Sequence, residues 1–345
     1  MAIDVPSPIS IFLASPDVSE IMVNGPDKIF YEQGGKIFRA EKRFVDENDL
    51  LRVVRQLLTA SGKTISPQTP LIDTRLGDGS RFTLTMPPIT SAVSFTIRRS
   101  TSRIRTLIEL VKRGALSTET AEFLRKAVLD RRNILIAGGT SCGKTTLLNA
   151  LAAEIPSDSR IVTLEDTVEM ILPHQNWLAL ETLLSARPDQ CVDMRTLVAH
   201  ALHLRPDRIL LGECRSGEAL DILQAMNSGH DGSMATIHAS SPTDVISRLE
   251  TLVLMAGYEL PLLAIRQQIS RAIHLIVQMR RTAEGQRQIT EISHVVGLEN
   301  GQVVLKNLFV LSGDSVGGPV SQTSPVTFAP IGTPLPAAGA KVTAA

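Results

Sequence analysis

Short apolar runs separated by turn signals fill the first hundred residues. Residues 20–44 hold β-type runs interrupted by Asn-Gly-Pro and Gly-Gly, which predicts strands joined by tight turns. Residues 46–62 instead carry apolar side chains at helical spacing, with acids at the start and a glycine at the end, which predicts a helix. Residues 71–88 predict a hairpin, and residues 92–100 predict another strand. We therefore expect a small α+β domain over residues 1–100.

Strand parity sorts the side chains of this domain onto two faces, because successive residues of a strand point to opposite sides of a sheet. Phe82 and Leu84 share one face of their strand, and Phe95 occupies the same kind of position in the next strand. Arg81 and Arg98 then fall together on the opposite, polar face.

The pattern changes at about residue 108 to apolar strands that alternate with helical segments. This alternation predicts βαβ units and a parallel sheet, so the fold class is α/β, with the second domain over 108–311. The polar and basic residues 101–107 indicate a linker, and 312–345, rich in Pro, Gly, Ser, Thr and Ala, predict a disordered tail. The predicted strands of the second domain are 133–138, 160–164, 208–212, 234–237, 274–279 and 288–296.

The segment GGTSCGKT follows an apolar strand and precedes a helix. It fits G-x-x-x-x-G-K-[ST], the P-loop pattern, in which backbone N–H groups at a helix N-terminus cradle phosphates. Lys144 would reach the β- and γ-phosphates, and Thr145 would ligate Mg²⁺. A chance match is the alternative, and the strand–loop–helix context opposes it. The residues assigned to ATP binding are Gly138, Gly139, Thr140, Ser141, Cys142, Gly143, Lys144, Thr145 and Thr146.

Polar residues also end three further predicted strands. Glu165 and Asp166 end one strand, Glu213 ends the next, and His238 ends the fourth. Because ligands bind beyond the carboxyl ends of parallel strands, we expect all four residues beside the nucleotide. Each could by itself be a helix cap or a solvated turn, but their convergence predicts a catalytic edge.

These strand ends suggest specific roles in hydrolysis. Glu213 is the candidate general base or water-positioning residue. Glu165 and Asp166 suit orientation of water and support of Mg²⁺, with Asp166 acting partly through water. His238 can hydrogen-bond the γ-phosphate and report its loss to the helix that starts near Pro242. A buried core histidine and a metal ligand are the alternatives for His238, although no set of His and Cys residues has ligand spacing.

A developing γ-phosphate charge usually needs one more cation, often an arginine of a neighbouring subunit. Arg81 and Arg98 are the candidates, and solvated surface arginines are the alternative reading.

Composition narrows the class of protein. Lys and Arg total 35, as do Asp and Glu, so the formal charge is zero, which disfavours a dedicated nucleic-acid binder. Three cysteines make no disulfide framework and favour a reducing cytosol. No apolar run reaches the ~18 residues of a membrane span, and the N-terminus lacks the features of a signal peptide. We expect a soluble intracellular protein.

At these motifs the sequence resembles the secretion ATPase superfamily, which includes pilus motors and type II and type IV secretion ATPases. Its four boxes are matched by the P-loop, by LEDTVE, by the Walker B-like stretch RPDRILLGECRSGEALDILQAMNSGHDGS and by the histidine box SMATIHASSPTDVISRLETLV. The segments IMVNGPDKIFYE, LIDTRLGDGSR and ELPLLAIRQQISRAIHLIVQ are most similar to the CpaF/TadA branch, the tight-adherence (Flp) pilus motors. The likeness runs from about residue 11 to residue 310.

The resemblance implies a RecA-like ATPase domain preceded by a small PAS-like domain, in a homohexamer that binds ATP and Mg²⁺ between the domains. It implies that Arg81 and Arg98 reach the phosphates. It also implies a cytoplasmic protein, peripheral at the inner membrane, that docks on a polytopic platform protein and powers pilus assembly, with no specific nucleic acid. The chain is expected to begin almost directly at its N-terminal domain, without the longer leader of many relatives.

The sequence departs from the superfamily pattern in its P-loop. Ser141-Cys142 replace the usual Gly-Ser, so Ser141 must tolerate the backbone conformation of the loop. We expect a depressed pKa for Cys142, because it lies at a helix N-terminus among phosphate-binding amides. Gly212 stands where a Walker B aspartate is usual, which is normal for the superfamily, where the acidic box compensates.

Three other functions remain open at this point. A conjugation or type IV secretion ATPase has nearly the same boxes. A nucleotide-dependent scaffold with little turnover would account for the unusual loop, although Lys144, Thr145 and Glu213 oppose it. A DNA helicase of related fold is disfavoured by the neutral charge and by an aromatic content of 3%.

Overall fold

The computed structural model describes residues 7–59, 62–66, 68–99, 106–183 and 191–311. The predicted tail at 312–345 lies outside these residues, as does most of the predicted linker. The last two linker residues belong to a helix instead, because Thr106 caps it and Leu107 begins it. The chain divides into two units, Met1–Arg103 and Ile104–Ala345.

The first unit holds a six-stranded sheet in the order β3-β2-β1-β6-β5-β4, with every neighbouring pair antiparallel. Its elements are α1 (Ser10–Ala14), β1 (Val18–Asn24), β2 (Ile29–Gln33), β3 (Lys36–Arg39), α2 (Glu47–Leu58), β4 (Leu71–Arg75), β5 (Arg81–Thr85) and β6 (Ser94–Arg98).

The predicted amphipathic helix is α2, and it covers one face of this sheet. Asp46 caps it by accepting a hydrogen bond from the backbone N–H of Asp49 at 2.8 Å. Its apolar residues, Val53 among them, are buried in one core with Phe82 and Ile97 of the sheet. The parity predicted for the strands is therefore confirmed, and the opposite face is left for charged side chains.

The second unit is built on an eight-stranded sheet in the order β14-β13-β12-β7-β11-β10-β8-β9. The six strands from β12 to β9 run parallel, and β13 and β14 are antiparallel additions at one edge. Its elements are α3 (Leu107–Lys112), α4 (Thr118–Leu129), β7 (Ile134–Gly138), α5 (Lys144–Ala152), β8 (Ile161–Glu165), β9 (Trp177–Glu181), α6 (Met194–Leu202), β10 (Arg208–Cys214), α7 (Glu218–Asn227), β11 (Met234–Ile237), α8 (Pro242–Leu254), α9 (Leu262–Ala272), β12 (Leu275–Arg281), β13 (Arg287–Glu299) and β14 (Gln302–Val310).

Helices cover both faces of this sheet, as an α/β fold requires. Alternate residues of β7 show the two layers: Leu135 and Ala137 join a core with α6, α7, α8 and α9, whereas Ile134 and Ile136 join a core with α3, α4 and α5. The α/β prediction is confirmed. None of the helices in the described ranges is both long and apolar enough to cross a bilayer.

Two strands of this sheet were not predicted. Strand β9 lies at one edge and β14 at the other, and most of their side chains are half-exposed or exposed. An edge strand needs no continuous apolar run, so the signal that predicted the central strands is weak in both.

A buried polar cluster joins the amino ends of the central strands. The side chain of Asn133 is fully buried, donates to the carbonyl of Ala272 at 2.7 Å and accepts from the backbone N–H groups of Gly232 and Ser233. Its own backbone N–H donates to Nδ1 of His274 at 2.9 Å. That bond requires an unprotonated Nδ1, and burial, assisted by the charge of Arg132, lowers the pKa of His274 to about 4.

His274 should therefore make stability depend on pH. The imidazole has an ordinary pKa of 6.5 when the chain is unfolded, so the unfolded chain gains a proton between pH 6.5 and about 4 that the folded protein does not bind. The contribution of this residue to the free energy of unfolding is complete above pH 6.5. It falls by about 3 kcal/mol as the pH is lowered towards 4.

Urea unfolding between pH 7 and pH 4 measures this loss. The variant His274→Asn, which retains an acceptor near Asn133, should flatten the pH dependence, and the exposed His203→Asn should leave it unchanged. Equal slopes for the wild type and His274→Asn would contradict the assignment.

Candidate functional site

The glycine-rich loop lies between β7 and α5, at the carboxyl edge of the parallel strands. Gly138 has φ +155, and a Cβ placed on it would lie 2.5 Å from both the Sγ of Cys142 and the carbonyl oxygen of Met279. Gly143, with φ +99, is the N-cap of α5. A side chain at either glycine would be strained, so the loop can close tightly and turn its backbone amides towards an anion.

Ser141 occupies a left-handed conformation that non-glycine residues rarely adopt, with φ 58. This is the position where a glycine is usual, and the backbone constraint expected from the sequence is confirmed. Holding a residue with a Cβ in this region costs about 1 kcal/mol, which the surrounding loop must offset.

Lys144 begins α5 and is buried, with 8% of its surface exposed. Its Nζ donates to the carbonyl oxygens of Gly138 at 3.0 Å and Gly139 at 2.9 Å. The ammonium group is thereby held against the first residues of the loop, where it can also contact phosphate oxygens.

Strands β10 and β11 lie next to one another in the sheet and bring two predicted residues together. The Nε2 of His238 lies 2.6 Å from Oε1 of Glu213. After His238 the chain reaches Ser241, whose hydroxyl caps α8 by accepting from the N–H of Asp244, and Pro242 follows at the first helical position. The histidine thus lies four residues before a new helix; its side chain is 41% exposed, so it is not a core residue, and within the described residues it belongs to no metal-binding group.

The pKa of His238 is lowered from its usual value, mainly by burial. The charge of Glu213 opposes this shift, whereas the charges of Lys144, Arg215 and Arg248 add to it. His238 is therefore neutral near pH 7, so its short contact with Glu213 joins a carboxylate to an uncharged ring.

Arg215 joins two of the predicted acidic positions, and the sequence reasoning missed it. Its Nη2 donates to Oε2 of Glu213 at 2.5 Å, and its Nη1 donates to Oδ2 of Asp166 at 2.8 Å. The available signal was its position directly after β10, two residues from Glu213 at the same strand end.

Glu165 has a different environment from Asp166. It is 3% exposed, and its Oε2 accepts from the backbone N–H groups of Glu169 at 2.8 Å and Met170 at 3.1 Å. The carboxylate thereby fixes the loop that follows β8, which in turn positions Asp166.

In the first unit, Arg81 and Arg98 are direct cross-strand partners of β5 and β6. Glu20 of β1 lies opposite Arg98 in turn, and Arg75 of β4 lies opposite Arg81. Asp73 accepts from Arg81 in a bidentate ion pair, with distances of 3.0 Å and 2.5 Å. The predicted shared polar face is confirmed, and it forms a row of charge across the sheet.

The sequence matches a known protein family over most of its length. Residues 4–303 match the family described as "Type II/IV secretion system protein". The chain belongs to the type II/IV secretion system protein family. The conjugal transfer protein TrbB of Rhizobium radiobacter is 34% identical over 311 residues, covering 89% of this chain and 93% of TrbB. The type IV secretion system protein VirB11 of Bartonella quintana is 33% identical over 324 residues, covering 83% and 90%.

A solved structure shows the same fold. The pilus retraction motor PilT, crystallised with ADP, superposes with a TM-score of 0.61 at 18% identity, covering 88% of this chain and 82% of PilT. Family membership, the P-loop and the acidic strand ends agree, and this secretion-family chain is an ATP hydrolase. The family prediction is confirmed at the level of the superfamily.

Gly212, on β10 of this secretion-family chain, leaves space for the side chain of Glu165 on the neighbouring strand β8. A Cβ on Gly212 would lie 3.0 Å from Cγ of Glu165 and 3.3 Å from the carbonyl oxygen of Leu164. An aspartate at 212 would therefore require the buried Glu165 side chain of the neighbouring strand to shift by a few tenths of an ångström. The lack of a side chain at Gly212 therefore allows Glu165 to be buried at this position.

The prediction of a depressed pKa for Cys142 is wrong. Its side chain is 2% exposed and packs under the loop, and burial raises the pKa of its thiol above the usual value. The charge of Lys144 and the loop amides act in the predicted direction but are outweighed by desolvation. Cys142 is thus a small apolar residue of the core rather than a reactive thiol.

Arg215→Gln should lower kcat by about tenfold while leaving the Kd for ATP nearly unchanged. Charge-assisted hydrogen bonds contribute about 1.5–3 kcal/mol each, and the 56% exposure of the Arg215 side chain reduces this to about 1–1.5 kcal/mol for holding Glu213 in place. Steady-state hydrolysis and nucleotide titration measure the two quantities.

The matched control is Arg125→Gln, which removes a similarly exposed arginine from its ion pair with Glu122. Arg215→Lys should recover part of the rate, because it retains a cation that can reach one carboxylate at a time. Equal rates for Arg215→Gln and Arg125→Gln would show that Arg215 plays no part in turnover.

Proposed function

We propose that this secretion-family ATPase powers a conjugal or type IV transfer machine. The hydrolytic role rests on the Glu213 carboxylate, which lies between His238 and Arg215 at the end of β10. The observation that carries the choice of machine is the match to two relatives. The relatives that match almost end to end, TrbB and VirB11, are named for conjugal transfer and type IV secretion. An intact hydrolytic site favours an energy-supplying subunit over a scaffold.

The residues of the chain divide the chemistry of ATP hydrolysis among them. The loop amides and Lys144 bind the phosphates of the substrate. Glu213 orients the attacking water and accepts its proton. Arg215 holds one oxygen of the carboxylate, and neutral His238 lies against the other. When the γ-phosphate leaves, His238 can pass the change to α8, which begins only a few residues later.

The donor set fits a magnesium ion held mainly by the substrate. Within the described residues no group of three or more His, Cys, Asp or Glu side chains could hold a metal ion. Mg²⁺ in nucleotide sites usually keeps several waters and takes only one or two protein ligands, a role that Thr145 can fill. Asp166 is engaged by Arg215 at 2.8 Å, so its contribution would run through water. The ion would neutralise phosphate charge.

A ring of six copies is part of the proposal. In such a ring Arg81 and Arg98 would approach the phosphates bound by a neighbouring copy. Arg81 and Arg98 lie directly opposite one another, so both would be able to contact one phosphate if Arg81 exchanged its ion pair with Asp73 for it. The ring would act at the inner face of the membrane on a polytopic platform protein.

A tight-adherence pilus motor is the second candidate. The segments IMVNGPDKIFYE, LIDTRLGDGSR and ELPLLAIRQQISRAIHLIVQ, whose resemblance favours that branch, lie on β1 and β2, on the β4–β5 hairpin, and on α9 and β12. Both candidates use the same hydrolytic site and differ only in the machine that it drives.

Glu213→Gln should lower kcat by a factor of about 100 or more, because the amide cannot accept the proton of the attacking water. The variant should bind ATP as tightly as the wild type, since the loop and Lys144 are untouched. Single-turnover hydrolysis and ATP titration make the measurement, with Glu122→Gln as a control at an exposed glutamate. Unchanged turnover in Glu213→Gln would favour a scaffold, and stimulation of the wild type by DNA would favour a helicase.

The partners of the trapped Glu213→Gln protein should identify the machine. We expect conjugation-channel components to co-purify with it from membranes of its own host, with a Lys144→Ala chain as the control that cannot bind ATP normally. Recovery of a polytopic pilus platform protein instead would assign the motor to the tight-adherence pathway.

A further inference from the structure

The β12–β13 hairpin packs directly against the back of the P-loop. The carbonyl oxygen of Met279 and the Sγ of Cys142 fill the space where a side chain on Gly138 would begin. At Gly143 the same space is taken by Cδ of Arg287, 3.3 Å from an added Cβ, and by Cε of Met279 at 3.5 Å. The hairpin thus occupies the space beside both glycines in which a side chain would lie.

Arg287 begins β13, and its aliphatic stem crosses the last glycine of the loop. Its side chain is exposed, and among the described residues it forms no ion pair. The charge reaches the loop, because it acts on Cys142, where it opposes the rise in the pKa of the thiol. Arg287 therefore presents an uncompensated cation beside the amides of a phosphate-binding loop.

A second arginine strengthens the local positive potential. Arg281 lies directly opposite Arg287 in the β12–β13 ladder, and like charges at such positions repel. Arg281 also borders a cleft of about 490 Å³ that reaches Gly139 and Thr140 of the loop.

The order of the strands determines which part of a nucleotide Arg287 can reach. Glu213 and His238, which serve the γ-phosphate, follow β10 and β11 on one side of β7. Arg287 comes from β13, on the other side of β7. Gly143 lies between the two sides, at the helix start whose amides cradle the α- and β-phosphates.

We propose that Arg287 is a nucleotide-binding residue that contacts the α- and β-phosphates from the side of the loop opposite to Glu213. The proposal rests on the proposed function, because it takes the loop to be an ATP site. ATP and ADP share these phosphates, so Arg287 binds substrate and product alike. An interaction that is equal in the ground state and the transition state lowers KM without raising kcat.

The test compares Arg287→Gln with the wild type in the full-length chain. We expect the Kd values for ADP and for ATP to rise together by about tenfold, the scale of one charge-assisted hydrogen bond, with kcat within about twofold of the wild type. Arg287→Lys should recover part of the affinity. The control is Arg271→Gln, an exposed arginine in the last turn of α9, whose helix leads into the amino end of β12.

Competition by inorganic pyrophosphate against a fluorescent ADP analogue locates the contact. If Arg287→Gln weakens pyrophosphate and ADP equally, the contact is with the phosphates, as proposed. If ADP binding weakens and pyrophosphate binding does not, Arg287 contacts the nucleoside and the proposal is wrong. Unchanged affinity for both also overturns it.

The controls separate this proposal from the proposed function. Wild-type protein that binds ADP and hydrolyses ATP, together with an Arg287→Gln variant of unchanged affinity, would remove only the role of Arg287. Wild-type protein that binds no nucleotide would remove the proposed function itself. An unchanged melting temperature of Arg287→Gln in the absence of nucleotide shows that lost binding is not lost folding.

Discussion

The register of three parallel strands, β7, β11 and β12, determines the rest of the candidate site. Ile237 of β11 pairs with Ala137 of β7, and Met279 of β12 pairs with Gly138. His238 therefore leaves its strand at the same height at which the P-loop leaves β7, and the β12–β13 hairpin rises beside the loop. A shift of register by one residue would move a buried face of the strand to the other layer, so two hydrophobic cores enforce this alignment.

At the carboxyl edge of these strands, burial and the neighbouring charges keep the His238 ring neutral. Burial and the cations Lys144, Arg215 and Arg248 disfavour an imidazolium, and the single carboxylate of Glu213 does not overcome them. The neutral ring lies 2.6 Å from Oε1 of Glu213, and this oxygen accepts no hydrogen bond from the described residues.

The sequence was sufficient for the features that depend on local pattern. Central strands such as β7 are buried on both faces, so an apolar run marks them, and glycine spacing marks the loop. The edge strands β9 and β14 and the ion pairs of Arg215 could not be predicted, because half-exposed segments and tertiary ion pairs leave little signal in the order of residues. The sequence predicts the wrong direction for the pKa of Cys142, because burial, the largest cause of its shift, depends on how the thiol packs under the loop.

In the proposed mechanism, one loop distinguishes ATP from ADP while retaining both. Glu213 of β10 and His238 after β11 would contact the end of the nucleotide that hydrolysis removes, whereas Arg287 would contact the end that remains. Loss of the γ-phosphate would then change the side on which His238 leads into α8. The hairpin side, packed against Gly138 and Gly143, keeps its contacts. A motor needs this asymmetry, because the change of state must reach a moving element before the product departs.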